Sequence, residues 1–139
     1  DIPLIAINTL ELIAQTHIHA KNRWLLPMLD ARRMEDYTAV FDRAGKEIKP
    51  TWAEVLFPNS LGALLENQKA YVFGEGAKKF KTITENENLL FLDNYDFPSA
   101  RQMVAMAYEA FKTKQFEDLA YFEPFYLKEF ISTPPKSKH

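Results

Sequence analysis

The segment LDARRMEDYTAVF, residues 29–41, concentrates side chains that could do acid–base chemistry. Asp30 and Glu35 could act as an acid and a base if their surroundings shifted one of the two pKa values. Arg32 and Arg33 could pair with these carboxylates or hold an anion through bidentate hydrogen bonds. The sequence offers no partner that would shift a carboxyl pKa. We therefore favour a charged corner between two strands, in which Asp30 accepts backbone N–H groups, over a catalytic pair.

The segment GEGAKK, residues 74–79, partly matches a phosphate-binding loop. A dinucleotide-binding loop has the pattern G-x-G-x-x-G, but Lys79 stands where the third glycine belongs. A Walker A loop needs Gly-Lys followed by Ser or Thr, which this segment lacks. Gly74 and Gly76 therefore indicate a turn after a strand, with a positive φ at one of them. Their backbone N–H groups make a candidate weak anion-binding turn.

His17 and His19 come nearest to a metal-binding pattern. On a helix, residues two apart point about 200° away from each other, so these imidazoles cannot share a metal ion there. The sequence contains neither H-E-x-x-H nor G-x-S-x-G, and it contains no cysteine. Nothing in it supports a Ser–His–Asp triad. We predict no metal site and no cofactor.

The composition is that of an ordinary globular domain. The 139 residues are 47% hydrophobic and 26% charged, and the formal net charge is −2. This length allows one domain with a sizeable core. The charge balance gives no global argument for binding to nucleic acid or to a membrane. No apolar run approaches the roughly 20 residues that a membrane-spanning helix needs.

Strand and helix patterns alternate along the chain, which indicates an α/β fold. We predict helices over residues 8–20, with Asn8 as the N-cap, over residues 58–67, capped by Asn59 or Ser60, and over residues 99–115, capped by Ser99. Strands are predicted at residues 2–7, 23–30, 36–42, 47–51, 70–73 and 88–93, with an extended segment at 121–130.

Residue types also predict which faces are buried. Pro27 indicates an edge position or a bulge, because proline cannot donate a hydrogen bond to a neighbouring strand. The alternation of residues 36–42 is typical of a half-exposed strand. The long helix is expected to bury an apolar face, formed by Ala100, Met103, Val104, Ala107, Tyr108 and Phe111.

Five motifs follow one another along the chain: IPLIAINTLE, D-A-R-R-x-E-x-Y at residues 30–37, the YVFGEG turn, the helix from Ser99, and EPFYL. Their order resembles that of the TsaB (YeaZ) family of tRNA threonylcarbamoyladenosine biosynthesis proteins, formerly described as glycoproteases. The resemblance implies the actin-like ATPase (ribonuclease H-like) fold, with a mixed sheet flanked by helices. We expect residues 1–22 to be the last strand and helix of an absent N-terminal lobe. Residues 23–131 would form the C-terminal lobe, and residues 132–139 a disordered tail.

The resemblance also implies a function. TsaB-like proteins are similar to the catalytic subunit TsaD but lack its metal-ligating histidines. They support TsaD, together with TsaE, in adding threonylcarbamoyl to adenosine 37 of tRNA. We therefore expect a cytoplasmic, non-catalytic scaffold that contacts TsaD and TsaE largely through the absent N-terminal half. It would contact tRNA only indirectly and no membrane, and it is a candidate homodimer. The alternatives are a peptidase or hydrolase, as the old description suggests, and a nucleotide-binding lobe like that of a sugar kinase.

Asp30, Arg32, Glu35 and Tyr37 match the family signature and are the candidate functional residues, with no catalytic role implied. Relatives tend to read D-A-R-x-G-E-V-Y, so this chain departs from the signature at Met34 and at the following aspartate, residue 36. A glycine in place of Met34 would allow a positive φ, which methionine resists. The aspartate is a poor strand residue and is expected to be exposed.

Overall fold

The computed structural model describes residues 2–18, 22–93 and 97–128. The predicted end of the first helix near residue 20 and the predicted tail at 132–139 lie outside these ranges. In chain order the described elements are α1 (Thr9–Gln15), β1 (Trp24–Asp30), β2 (Glu35–Phe41), β3 (Glu47–Val55), α2 (Gly62–Leu65), β4 (Ala70–Phe73), α3 (Ala77–Lys81), β5 (Leu89–Phe91) and α4 (Ala100–Lys112).

The strands form one mixed sheet in the order β3-β2-β1-β4-β5. β1, β2 and β3 follow one another as antiparallel neighbours. β4 then pairs with β1 in parallel, and β5 pairs with β4 in parallel. The short helices α2 and α3 make the connections that parallel strands require. The predicted α/β architecture is therefore present, with an antiparallel meander joined to a parallel pair.

Helices cover both faces of the sheet, so the core has two halves. One half contains Leu65 of α2 and Phe80 of α3, packed with Leu26, Met28 and Val40 of the sheet. The other half contains residues of α1 packed against the opposite face; its members are Leu10, Ile13, Ala14, Leu25, Ala39, Phe41 and Phe73. Residues that alternate along β1 and β2 thus point into different halves.

The helix α1 begins where the sequence predicts. The Asn8 side chain accepts hydrogen bonds from the backbone N–H groups of Leu10, at 2.9 Å, and Glu11, at 3.2 Å. These bonds satisfy two donors that the first helical turn would otherwise leave unpaired.

The strand predicted at residues 2–7 is absent. These residues precede α1 without belonging to the sheet, and Ile2 is 87% exposed. The Leu4 carbonyl accepts one hydrogen bond from the Glu117 N–H. An apolar run becomes a strand only when another strand supplies its ladder of hydrogen bonds, and no described strand lies beside this run.

The edge position or bulge predicted from Pro27 is wrong, because β1 is the central strand and pairs with β2 and β4 without a shift in register. Pro27 stands beside Phe73 at the last pairing between β1 and β4. Its carbonyl oxygen accepts a hydrogen bond of 2.9 Å from the Thr38 hydroxyl. A side chain therefore supplies one of the cross-strand bonds at this position, where proline has no N–H to give.

The strand β2 has the predicted alternation but not the predicted exposure. Ala39 and Phe41 face one half of the core and Val40 the other. All three are buried, because β2 lies between β1 and β3 and both sheet faces are covered there. The alternation correctly predicts the two faces, but it cannot reveal that a helical layer covers each.

Both predicted helices after β3 exist, with different surroundings. In α2 the N-cap is Leu61, in the left-handed conformation, and neither Asn59 nor Ser60 caps it. The Ser60 hydroxyl instead accepts from the Phe57 N–H and donates to the Val55 carbonyl. In α4 the capping box of Ser99 and Gln102 is present, but the predicted apolar face is not buried. An amphipathic stripe shows which side of a helix could be buried, not that the described residues cover it.

Every helix in the described part of the chain is too short or too polar to span a bilayer.

Candidate functional site

The signature segment forms a tight corner between β1 and β2. β1 ends at Asp30, and the carboxylate of this residue accepts a 2.7 Å hydrogen bond from the Arg32 N–H. The Ala31 N–H donates to the Glu35 carbonyl, which closes the corner. The corner predicted from the sequence is thus present, with Asp30 accepting a backbone N–H as expected.

Two consecutive residues of this corner lie in the left-handed region of the backbone. Arg32 has a φ of 71° and Arg33 a φ of 53°. L-residues with a side chain adopt such angles at a conformational cost, so the corner needs other interactions to hold it. Met34, where we expected the departure from the signature to matter, is not among the residues with positive φ.

Lys79, on α3, lies at the centre of the corner. Its Nζ donates to the Asp30 carboxylate at 2.6 Å and to the backbone carbonyls of Arg33, at 2.9 Å, and Glu35, at 2.7 Å. It also makes an ion pair of 2.8 Å with Asp36. One ammonium group therefore joins the end of β1, the turn and the start of β2. We call Lys79, Asp30 and Asp36 the lysine clasp.

The predicted exposure of Asp36 is wrong, since its side chain is 0% exposed. Apart from Lys79, neither carboxylate oxygen has a hydrogen-bond partner among the described residues. Gly76 leaves the space for this carboxylate, because a Cβ atom at Gly76 would lie 2.6 Å from the Asp36 carboxyl carbon. The rule that aspartate avoids buried strands fails here because a lysine lies within ion-pair distance.

Burial raises the pKa of Asp36 to about 6, although the Lys79 ammonium pulls in the opposite direction. The neighbouring carboxylates of Asp30 and Glu75 raise it further. For Asp30, the hydrogen bonds from Lys79 and from the Arg32 N–H lower the pKa below its usual value. The pKa of Lys79 is raised, since its bonds to the two aspartates outweigh the effect of its burial. Lys79 is therefore a permanent cation between two carboxyl groups that titrate differently.

Two signature residues, Glu35 and Tyr37, lie on the other side of the sheet from the lysine clasp. The Glu35 carboxylate pairs with the Lys128 ammonium. The same ammonium lies 5.8 Å from the centre of the Tyr37 ring, within cation–π range. Tyr37 and Lys128 also line an open cleft of about 790 Å³, together with Glu11 of α1. Burial, followed by repulsion from Glu47, raises the pKa of Glu11.

The turn that contains Gly74 and Gly76, which we call the glycine turn, lies against Met28 of β1. Gly74 has a φ of 95°, and a Cβ atom there would collide with the Met28 carbonyl oxygen. Of the two glycines, it is therefore the one with the predicted positive φ. The Gly76 N–H donates to the same Met28 oxygen at 3.1 Å. One of the N–H groups considered for anion binding is thus used within the fold, and anion binding at this turn stays a prediction.

The signature residues do not form one cluster, because Asp30 lies in the lysine clasp whereas Glu35 and Tyr37 lie on the other side of the sheet, and their charged groups have mostly internal partners. Asp30 forms an ion pair with Lys79, and Glu35 forms one with Lys128. Asp36 is completely buried. Within residues 2–18, 22–93 and 97–128, no group of three or more histidine or acidic side chains could hold a metal ion. His17 packs its ring against Phe73 at 4.2 Å. The arrangement is suited to fixing a backbone shape and supplies no exposed nucleophile with an adjacent base.

Sequence reasoning missed the two residues that organise the corner. From the sequence, Lys79 is notable only because it breaks a phosphate-loop pattern. Asp36 is notable only as a departure from the signature that is expected to be exposed. Because the two lie far apart along the chain, no local spacing links them. The one available signal was an aspartate and a lysine that both violate a local pattern.

No known protein-family profile matches the sequence, and no curated protein matches it. Solved structures do match. A Pseudomonas aeruginosa protein described as uncharacterized, with similarity to peptidase YeaZ, has a TM-score of 0.66 and 19% identity over 91% of this chain. YeaZ from Pseudomonas aeruginosa has a TM-score of 0.64 and 19% identity over 89% of this chain. The chain spans 59% and 60% of the length of these two proteins.

These matches confirm the predicted fold class, an α/β fold in which helices flank a mixed sheet. The particular fold is that of YeaZ, also called TsaB, as the motif order predicts. The division of the chain at residue 22 stays a prediction.

Proposed function

We propose that this chain is part of a TsaB-type scaffold subunit, which supports TsaD in adding threonylcarbamoyl to adenosine 37 of tRNA. The observation that carries the proposal is the state of the signature corner within a YeaZ-like fold. Its carboxyl groups are engaged by lysines that hold the corner in shape. Such a corner suits a protein that presents a fixed surface to a partner. In this proposal the protein is cytoplasmic, TsaE is a further partner, and tRNA is contacted only indirectly.

The proposal favours a non-catalytic role over the peptidase role that the description of one structural neighbour suggests. A general acid needs a raised pKa and access to the substrate. Asp36 has the raised pKa but no access, because it is completely buried. Asp30 has access, but its pKa is lowered, so it remains ionised. Neither Asp36 nor Asp30 therefore combines the two properties.

A binding measurement with purified partners tests the proposed function. The full chain is immobilised, and its binding to TsaD is measured with and without TsaE. We expect saturable binding to TsaD and no cleavage of casein or of a quenched peptide library. Absence of binding to TsaD, both by this chain and by the intact subunit to which it is proposed to belong, contradicts the scaffold role. Peptide cleavage that is lost in Glu35→Gln establishes the peptidase alternative instead.

The nucleotide-binding alternative receives no support from the glycine turn. The Gly76 N–H donates to the Met28 carbonyl, and the buried Asp36 carboxylate lies against Gly76. A phosphate approaching Gly76 would meet a carboxyl group instead of a row of free N–H donors.

A further inference from the structure

Four oxygen atoms converge on the ammonium group of Lys79 in the lysine clasp. The nitrogen Nζ lies 2.6 Å from an Asp30 carboxylate oxygen, 2.9 Å from the Arg33 carbonyl oxygen and 2.7 Å from the Glu35 carbonyl oxygen. A carboxylate oxygen of Asp36 is the fourth, at 2.8 Å. An ammonium group has three N–H donors, and these match the hydrogen bonds to Asp30 and to the two carbonyls. We call the four oxygens the ammonium site.

The ammonium site is built by a different part of the fold from the lysine that fills it. Its oxygens belong to the end of β1, the turn and the start of β2, whereas Lys79 belongs to α3. The corner also has hydrogen bonds of its own, from the Arg32 N–H to Asp30 and from the Ala31 N–H to the Glu35 carbonyl. Shortening the lysine would therefore leave the four oxygens close together around an empty space.

The charge of the ammonium site requires a cation. Asp36 is completely buried, and among the described residues Lys79 is the only hydrogen-bonding or ionic partner of its carboxylate. Asp30 adds a second carboxylate that bonds to the same nitrogen. A buried carboxylate that loses its counter-ion is strongly destabilising. Without Lys79, the two carboxylates would favour any cation that fits between them.

The shape of the ammonium site favours an ammonium ion on an unbranched stem. The distances to Nζ are those of charge-assisted N–H···O bonds, whereas Ca²⁺ takes roughly six to eight oxygens at about 2.3–2.6 Å. The Lys79 side chain is 22% exposed, so a ligand from solvent could enter along the path of this side chain. The atoms that Lys79→Ala removes, Cγ to Nζ, are those of propylammonium.

We propose that the corner between β1 and β2 is a binding site for a primary alkylammonium ion, which the chain normally fills with its own Lys79. In the original chain the tethered lysine has a high effective concentration, so free amines do not compete with it. In Lys79→Ala the site accepts a free alkylammonium ion. Its binding restores the hydrogen bond to the Arg33 carbonyl, within the left-handed turn. This inference goes beyond the proposed function and does not depend on TsaD.

The test measures urea unfolding of Lys79→Ala and of the original chain in propylammonium chloride, at a mildly alkaline pH that favours the ionised form of both aspartates. Tetramethylammonium chloride at the same concentrations is the matched salt, because this cation has the same charge but no N–H donor. We expect propylammonium to raise the unfolding midpoint of Lys79→Ala and to leave that of the original chain unchanged. At ten times its dissociation constant, it would raise the ratio of folded to unfolded variant about elevenfold.

Three further variants locate the effect. Lys79→Met removes the charge but keeps the length of the side chain, so the space stays filled and propylammonium is expected to have no specific effect. Lys79→Ala/Asp36→Asn lacks the buried charge and is expected to bind propylammonium at least about tenfold more weakly than Lys79→Ala. Lys112→Ala removes a surface lysine that pairs with Glu109, and the two salts are expected to affect it equally.

The backbone amide signals of residues 30–36 show whether the bound ion restores the turn. In nitrogen–proton correlation spectra of Lys79→Ala, we expect these signals to move towards their positions in the original chain with propylammonium and not with tetramethylammonium. A general stabilisation of the fold would not move them selectively. If Lys79→Ala is unfolded without an amine, the titration instead follows the recovery of the folded circular dichroism spectrum.

Two results would overturn the ammonium site. One is an equal effect of the two salts on Lys79→Ala, which includes the absence of any recovery. The other is an equal gain from propylammonium in Lys79→Ala and Lys79→Met, which would show that the amine acts elsewhere on the protein. Stabilisation or recovery that is confined to Lys79→Ala and to propylammonium supports the proposal.

Discussion

Replacing Asp36 by asparagine tests whether the buried carboxyl group of the lysine clasp controls stability. The pKa of Asp36 is raised from 3.8 to about 6, so the folded protein binds this proton more tightly than the unfolded chain does. Stability contributed by this group is therefore fully present below about pH 4 and is lost as the pH rises through about 6. One pKa unit corresponds to about 1.4 kcal/mol, so the loss is about 3 kcal/mol at most.

Asparagine keeps the shape of the side chain but cannot ionise. At about pH 4 the Asp36→Asn variant and the original chain are expected to have similar free energies of unfolding. At about pH 7.5 the variant is expected to be more stable by roughly 1–3 kcal/mol, the range allowing for the lost ion pair with Lys79. Asp30 does not affect the comparison, because its pKa is lowered from the ordinary value of 3.8 and the same carboxyl group is present in both proteins.

Urea unfolding followed by circular dichroism at several pH values between about 4 and 8 measures this difference. Asp93→Asn is the matched control, because Asp93 is an exposed aspartate paired with Lys81 on the surface. Parallel pH profiles for the original chain and Asp36→Asn would refute the reasoning. They would mean that the Lys79 ammonium fully compensates for the burial of the carboxylate.

Two further substitutions test the support of the corner. Lys79→Met leaves Asp36 buried without its cation and is expected to lower the free energy of unfolding by about 3 kcal/mol at neutral pH. The loss is expected to be smaller at about pH 4, because Asp36 can be protonated there. A loss of stability that does not change with pH would contradict this prediction. Gly74→Ala forces a Cβ atom against the Met28 carbonyl at a positive φ and is expected to cost at least about 2 kcal/mol in urea unfolding. Gly62→Ala is its control, since a Cβ atom there has nothing within 4 Å and helix propensity favours alanine by up to about 1 kcal/mol; equal effects of the two alanines would show that the contact with Met28 is not what matters.

The arrangement of strands follows from the sequence where local patterns decide it. The apolar run before Asp30 gives β1, and the alternation after Glu35 gives β2. The run at residues 2–7 is as apolar as β1 but forms no strand, because pairing depends on a partner that the run itself does not contain. For the same reason the stripe on α4 predicts amphipathicity correctly and burial wrongly.

The site is less predictable than the fold, because its central contact is not local. Asp36 on β2 meets Lys79 on α3 only after the sheet has brought β4 beside β1. Residue preferences place each of the two at the surface when considered alone. Together they tolerate burial, since each supplies the charge that the other needs.

The position of β1 has a consequence for the order in which the protein folds. One of its neighbours, β2, follows it directly, whereas the other, β4, arrives only after β3 and α2. Contacts between nearby segments form at a smaller loop-closure cost, so we expect the β1–β2–β3 meander to form before the parallel pair. The lysine clasp joins the meander to α3 and would then close after the rate-limiting step. A stronger clasp would then lower the unfolding rate and would hardly change the folding rate.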